Sequence, residues 1–154
     1  IATMVRWSNA VGFKPVFASI SAVGGVSLSR ALEGGAQELY MTQTTPSFDD
    51  MTSEAAVGYR RALDELWPGT PSSYGSFEGY LAGMLASEAL QRCGREVDRE
   101  CFLRQFSETA VFSVGEIDLV YGEFDNQGLD DVYLTALNSS GVFVPVRSLN
   151  DDVD

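Results

Sequence analysis

The sequence has no histidine and only two cysteines in 154 residues, and its 10 basic side chains face 22 acidic ones, for a net charge of −12. Each shortage excludes something. Without histidine there is no Ser-His-Asp triad, no Cys-His pair and no imidazole-bearing metal site. Two cysteines cannot build a four-thiolate zinc site, which leaves only carboxylate oxygens as metal ligands. The negative field repels phosphate and argues against a general nucleic-acid binder. No apolar run reaches membrane-spanning length and no signal peptide is visible.

What is present is ordinary for a folded protein. The chain is 45% hydrophobic and 21% charged, which suits one domain or at most two small ones. It opens at Ile1, and Ala2 to Trp7 reads as a helix already under way. Asn150 to Asp154 reads as an acidic tail that frays.

The apolar run Val16 to Ile20 predicts a buried strand, and Leu39 to Thr44 a second. Between them Ser27 is a plausible N-cap for a short helix through Leu32, closed by Gly34-Gly35. Helix, strand, helix, strand is the order of parallel α/β construction. After a polar connector from Thr45 to Ser53, Ala56, Tyr59, Leu63 and Leu66 mark a helix. The strongest helix carries Phe77, Tyr80, Leu81, Met84, Leu85 and Leu90, and Gly94 stops it. Asp98 is placed to cap a further helix with Phe102, Leu103 and Phe106. The last third turns to strands at 111–113, 117–121, 132–137 and 142–146, and the final pair should form a hairpin through Asn138 to Gly141.

No enzyme motif survives inspection: GxGxxG, the P-loop and the GxSxG elbow are all missing. Gly75 to Gly79 is a GxxxG spacing with its serine misplaced and no base to activate it. Asp125 to Asp131 crowds oxygen ligands around a glycine, but the glycine is fourth and Ala136 holds the twelfth place, where calcium needs glutamate. A turn with local Asn and Asp hydrogen bonds is the better reading. Cys93 and Cys101 bracket a helix junction. They are either a disulfide worth about 2–3 kcal/mol or two small buried apolar side chains, and spacing alone does not choose. Tyr74, Phe77 and Tyr80 are more often core than ligand box, with Tyr74 the least core-like. Ser19 and Ser21 end a buried strand, where open α/β sheets bind ligands. Loop serines bonding their own backbone is the plainer alternative.

In this order the pieces resemble a known family. Gly12-Phe13-Lys14-Pro15-Val16-Phe17, Gly25-Val26-Ser27-Leu28-Ser29, Leu39-Tyr40-Met41-Thr42-Gln43, Ser76-Phe77-Glu78-Gly79-Tyr80-Leu81-Ala82, the stretch from Tyr121 to Thr135 and Val142-Phe143-Val144-Pro145-Val146 look like the C-terminal portion of type I periplasmic solute-binding proteins, the branched-chain amino acid receptor group of ABC transporters. The resemblance implies an α/β fold of two Rossmann-like lobes with parallel sheets flanked by helices, this chain supplying parts of both. Residues 1–44 would belong to lobe two, 45–132 would return to lobe one, and 133–154 would cross back. Thr44, Thr45 and Val132 would lie in the hinge.

The resemblance also implies a ligand-binding set of Ser19, Ser21, Ala22, Tyr74 and Phe77, no catalytic residue, no metal and no cofactor. In leucine/isoleucine/valine-binding relatives an acidic residue pairs with the ligand's ammonium, and alignment on Val26 to Ser29 puts Ser21 there. Serine cannot neutralise an ammonium, and a buried unpaired charge is costly. A carboxylate without an ammonium, an aromatic acid or an amide fits better than a standard α-amino acid. The expected partners are a small organic ligand, the permease subunits of an ABC transporter and the N-terminal remainder of the same protein, in a periplasmic or extracellular setting. A ligand-sensing domain of a receptor or an amide-responsive regulator is the alternative. A hydrolase is a third reading, which turnover lost on replacing one serine would support.

Overall fold

In chain order the elements are α1 (Ala2–Ala10), β1 (Phe17–Ile20), a one-turn 3-10 helix (Ser21–Val23), α2 (Gly25–Leu32), β2 (Leu39–Gln43), α3 (Glu54–Leu66), α4 (Tyr74–Cys93), α5 (Arg99–Ser107), β3 (Ala110–Val114), β4 (Ile117–Tyr121), β5 (Tyr133–Leu137) and β6 (Phe143–Val146). The structure is a computed structural model that describes residues 1–32, 38–95, 97–107, 110–149 and 151. The chain divides into two units, Ile1–Pro46 with Val132–Asp154, and Ser47–Asp131.

Unit one is a four-stranded sheet in the order β1-β2-β5-β6. β1 and β2 are parallel, with Phe17 opposite Leu39 and Ser19 opposite Met41. β5 lies antiparallel on β2, and β6 antiparallel on β5. The sheet is therefore mixed: β1 and β2 run parallel as expected, β5 and β6 form the expected hairpin, and the antiparallel β2–β5 pairing departs from the parallel sheet that the resemblance implies. Helix α2 lies between β1 and β2 along the chain, as a parallel pair requires, whereas β6 turns straight back from β5 through Asn138 to Gly141. In that turn the Asn138 carboxamide oxygen accepts from Ser140 N–H (3.1 Å) and Val142 N–H (2.8 Å).

Val5 of α1 and Leu28 and Leu32 of α2 pack with Leu39, Met41 and Leu137 of the sheet. Removing a side chain of this size from water stabilises by about 1.5–3 kcal/mol. The strand ends are joined by buried polar groups. Thr135 Oγ1 donates to Met41 O (2.9 Å) and accepts from Gln43 Nε2 (3.1 Å). Two expectations fall differently. Ser27 lies inside α2, which starts at Gly25, and so does not precede it as a cap. The Gly34-Gly35 closure and most of the acidic tail lie outside the described residues.

Unit two holds α3, α4 and α5 on the β3–β4 hairpin. Ser53 Oγ accepts from Ala56 N–H (3.0 Å) to cap α3, and Ser73 Oγ accepts from Ser76 N–H (3.2 Å) to cap α4. The Asp98 carboxylate accepts from Cys101 N–H (2.7 Å) at the start of α5, as its position predicts. Phe112, Val114, Ile117 and Leu119 alternate toward the helices and meet Ala55, Ala56, Tyr59, Phe77 and Leu81 in one core. Cys93 and Cys101 are joined in a disulfide with Cα atoms 6.0 Å apart, which pins the end of α4 to α5.

The hairpin tip is seated on the start of α3. Glu116 Oε2 accepts from Glu54 N–H (2.9 Å) and Ala55 N–H (3.3 Å), satisfying two helix-end donors. Burial alone would raise the Glu116 carboxyl, but hydrogen bonds from Ser53 and the backbone outweigh it and hold the group below its ordinary 4.5. A carboxyl lowered on folding contributes its stability above the unfolded value and loses it as pH falls through the folded one. Glu116→Gln should therefore cost about 0.5–1 kcal/mol at pH 7, toward the low end because the group is exposed. The deficit should vanish below the folded pKa in urea titrations at stepped pH. A deficit that persisted there would mean that Glu116 acts through packing and not charge.

Candidate functional site

In unit one the candidate site is the C-terminal end of the parallel pair β1–β2. The sheet ladder ends at Ile20, and the chain folds at once into the 3-10 turn, where Gly24 N–H donates to Ser21 O (2.9 Å). Gly24 has a φ of +76°, which favours glycine, and it delivers the chain into α2. Strand, tight turn and helix thus bring the first turn of α2 beside the strand ends. Ser19 is 9% exposed, and its Oγ finds no hydrogen-bond partner among the described residues. Ser21 is half-buried and Ala22 is exposed. A buried hydroxyl left unmatched costs about 1–3 kcal/mol, so Ser19 Oγ is a group that a polar partner beyond the described residues would satisfy.

The expected hinge residues lie at the strand ends of the same unit. Thr44 (exposed) and Thr45 (buried) follow β2, and Val132 (70% exposed) precedes β5. Gln43 and Tyr133 are register partners, so the two exits lie side by side.

In unit two Tyr74 is the first residue of α4. Its half-buried ring meets Phe48 edge-on at 4.9 Å. Burial pushes the Tyr74 hydroxyl up, Asp49 adds to this, and a hydrogen bond with Ser47 opposes it. The phenol thus stays protonated and able to donate. Phe77 is wholly buried in the core with Tyr59, at 5.2 Å between ring centroids. It has no exposed face, and packing is the role its position gives it.

Two features had no sequence signal. Arg60 Nη1 donates to Phe48 O (2.8 Å) and lies 4.0 Å from Asp49, holding 47–49 onto α3. The buried Tyr59 hydroxyl accepts from Ser73 N–H (3.1 Å) and shares a 2.5 Å hydrogen bond with Ser76, fixing the start of α4 beneath Tyr74. Only α3–α4 packing brings these residues together. In the stretch 125–131 the Asp125 carboxylate accepts from Gln127 N–H (3.0 Å), a local turn bond. No described helix is long and apolar enough to cross a membrane.

Comparison with known proteins gives a consistent result. The profile of the periplasmic binding protein family matches residues 2–142. A possible leucine/isoleucine/valine-binding protein from Rhodopirellula baltica SH 1 is 26% identical with a TM-score of 0.84, over 95% of this chain and 39% of that one. A branched chain amino acid ABC transporter protein from Thermus thermophilus with bound valine is 16% identical at 0.74, over 95% and 42%. A fatty acid ABC transporter substrate-binding protein from Thermomonospora curvata is 16% identical at 0.74, over 94% and 39%. No curated protein matches the chain. The chain spans about two-fifths of the length of these structures.

Proposed function

We propose, for a chain that belongs to the periplasmic binding protein family, that the whole protein is the extracytoplasmic substrate-binding component of an ABC transporter. It takes a small carboxylate, amide or amino acid in a cleft between two lobes and closes by hinge motion, with no catalysis. Unit one is the part of lobe two that carries Ser19, Ser21 and Ala22. Unit two is the segment that returns to lobe one and carries Tyr74. The breaks at Pro46/Ser47 and Asp131/Val132 support that division, and they fall beside Thr44, Thr45 and Val132 as the pivots. Permease subunits and the remainder of the polypeptide are the partners.

The observation that carries this reading is the buried, unmatched Ser19 hydroxyl at the end of a parallel strand. Ser21 follows it on the turn, and neither side chain bears charge. A carboxylate or amide can be met by hydroxyls, whereas an ammonium there would have no counter-ion. The fold accommodates both classes elsewhere: one relative is described with valine and another as serving fatty acids.

The test is a matched pair titrated calorimetrically into the full-length protein, leucine against 4-methylpentanoate, which lacks only the amino group. The des-amino acid should bind more tightly, and Ser21→Asp should reverse the order by supplying a counter-charge. Ser19→Ala should weaken the preferred ligand about tenfold, the worth of one hydrogen bond. Preference for leucine in the natural protein would refute the uncharged-site reading.

A further inference from the structure

Helix α2 begins without a cap. Gly24, which precedes it, has no side chain, and its first turn holds no acidic residue. Leu28 N–H donates to Gly24 O (3.0 Å), so the N–H groups of Gly25, Val26 and Ser27 come too early for a carbonyl partner within the helix. A second observation lies on the strand. Ser19 is opposite Met41 in parallel register, and residues directly opposite each other share a face of the sheet. Met41 is in one core with Leu28 and Leu32 of α2. The Ser19 side chain therefore points to the α2 side, one residue from the strand end at which α2 is delivered. It is 9% exposed, and its hydroxyl has no partner among the described residues. The local charge agrees. Residues 1–32 carry Arg6, Lys14 and Arg30 and no acidic side chain, in a chain of net charge −12.

We propose that the start of α2 is an anion site, which takes the ligand's carboxylate on the N–H groups of Val26 and Ser27 while Ser19 Oγ donates from the strand. The positive partial charge at a helix start favours a carboxylate over an amide of the same shape. Unit two shows this chemistry within the same chain: at the start of α3 the Glu116 carboxylate accepts from Glu54 N–H (2.9 Å) and Ala55 N–H (3.3 Å). The inference rests on the solute-binding reading and narrows it. The ligand is an acid, and it meets this unit carboxylate first. The loop that by resemblance receives an ammonium here receives the opposite charge. Ser19 and Ser21 need supply no charge for this, because the helix supplies it.

Calorimetry and thermal melts on the full-length protein test it, with 4-methylpentanoate and 4-methylpentanamide as the probes. The acid should bind at least about tenfold more tightly than the amide. Ser27→Asp places a carboxylate of the protein's own in the first turn of α2. Without ligand it should raise the melting temperature by about 1–2 °C. It should also weaken the acid about tenfold while the amide changes less than about threefold. Arg30→Glu reverses a charge further along α2 but leaves the helix-start donors open, so it should weaken the acid less than Ser27→Asp does. Equal binding of acid and amide, acid binding unmoved by Ser27→Asp, or a larger loss with Arg30→Glu would each overturn the anion site and leave the solute-binding reading standing. A melting temperature lowered by Ser27→Asp would overturn it with no ligand present. Binding of neither compound would count against both.

Discussion

Gly115→Val should cost unit two about 2–4 kcal/mol, the combined scale of backbone strain and overpacking. Gly115 joins β3 to β4 with a φ of +60°. A Cβ there would sit 2.8 Å from Ala55 N and 3.0 Å from Glu54 Cβ, against the first turn of α3. Neither neighbour is the loose end of a side chain, so the hairpin must lift off. Lifting it also withdraws Glu116 from the two helix N–H groups that it satisfies. The control is Gly69→Val, where φ is +82° and a Cβ would meet nothing within 4 Å. That variant carries the backbone strain without the collision and should lose only about 1 kcal/mol. Thermal melts followed by circular dichroism compare the two. Equal losses would show that the hairpin tip does not seat on α3.

Opening the disulfide should have the other large effect. Cys93 and Cys101 are 8 residues apart in sequence, and closing so short a loop stabilises by about 2–3 kcal/mol in the chain-entropy account. The bridge acts together with a ring cluster. Phe106 of α5 stacks on Phe112 at 5.1 Å and meets Tyr121 edge-on at 5.2 Å. With Cys93→Ala and Cys101→Ala combined, α5 is held only by its packing, chiefly Phe102 and Phe106 against the core. Hydrogen exchange should then quicken in α5 and the end of α4 while the middle of α3 keeps its protection. Unreduced, denatured protein should show no free thiol; two reactive thiols would mean that the bridge does not form. A structural disulfide also fits an oxidising compartment.

Much of the local structure was readable because its causes are local. Ser53, Ser73 and Asp98 cap helices through atoms a few residues away. Asn138 and Gly141 make their turn by themselves. The strands at 17–20 and 39–43 announce themselves as short apolar runs between turns. What could not be read depends on distant partners. Glu116 looks like an exposed hairpin residue until the fold brings it 2.9 Å from Glu54 N. Thr135 and Gln43 look like polar strand residues, and only register turns them into a buried pair. The hairpin of β5 and β6 is legible from its turn, but the antiparallel pairing of β5 on β2 is not, because strand direction is set by how the chain returns to the sheet, and not by the strand's own composition.

The site divides along the same line. Ser19 and Ser21 could be picked out as strand-end hydroxyls, but burial of Ser19 without a partner is a property of the packed unit. Phe77 carried a family resemblance, yet tight burial beside Tyr59 leaves it no surface to offer. Arg60 is, by sequence, one of several charges in the helix that Ala56 and Tyr59 mark, and only the fold shows it holding the segment just after Pro46.

The most direct test of the central claim is a thermal-shift screen of the full-length protein against small carboxylates, amides and amino acids. At least one carboxylate or amide should raise the melting temperature in proportion to the logarithm of its concentration, as binding to the folded state alone requires. Ser19→Ala should shrink that rise. If no compound in those classes moved the melting temperature, the solute-binding account would be contradicted.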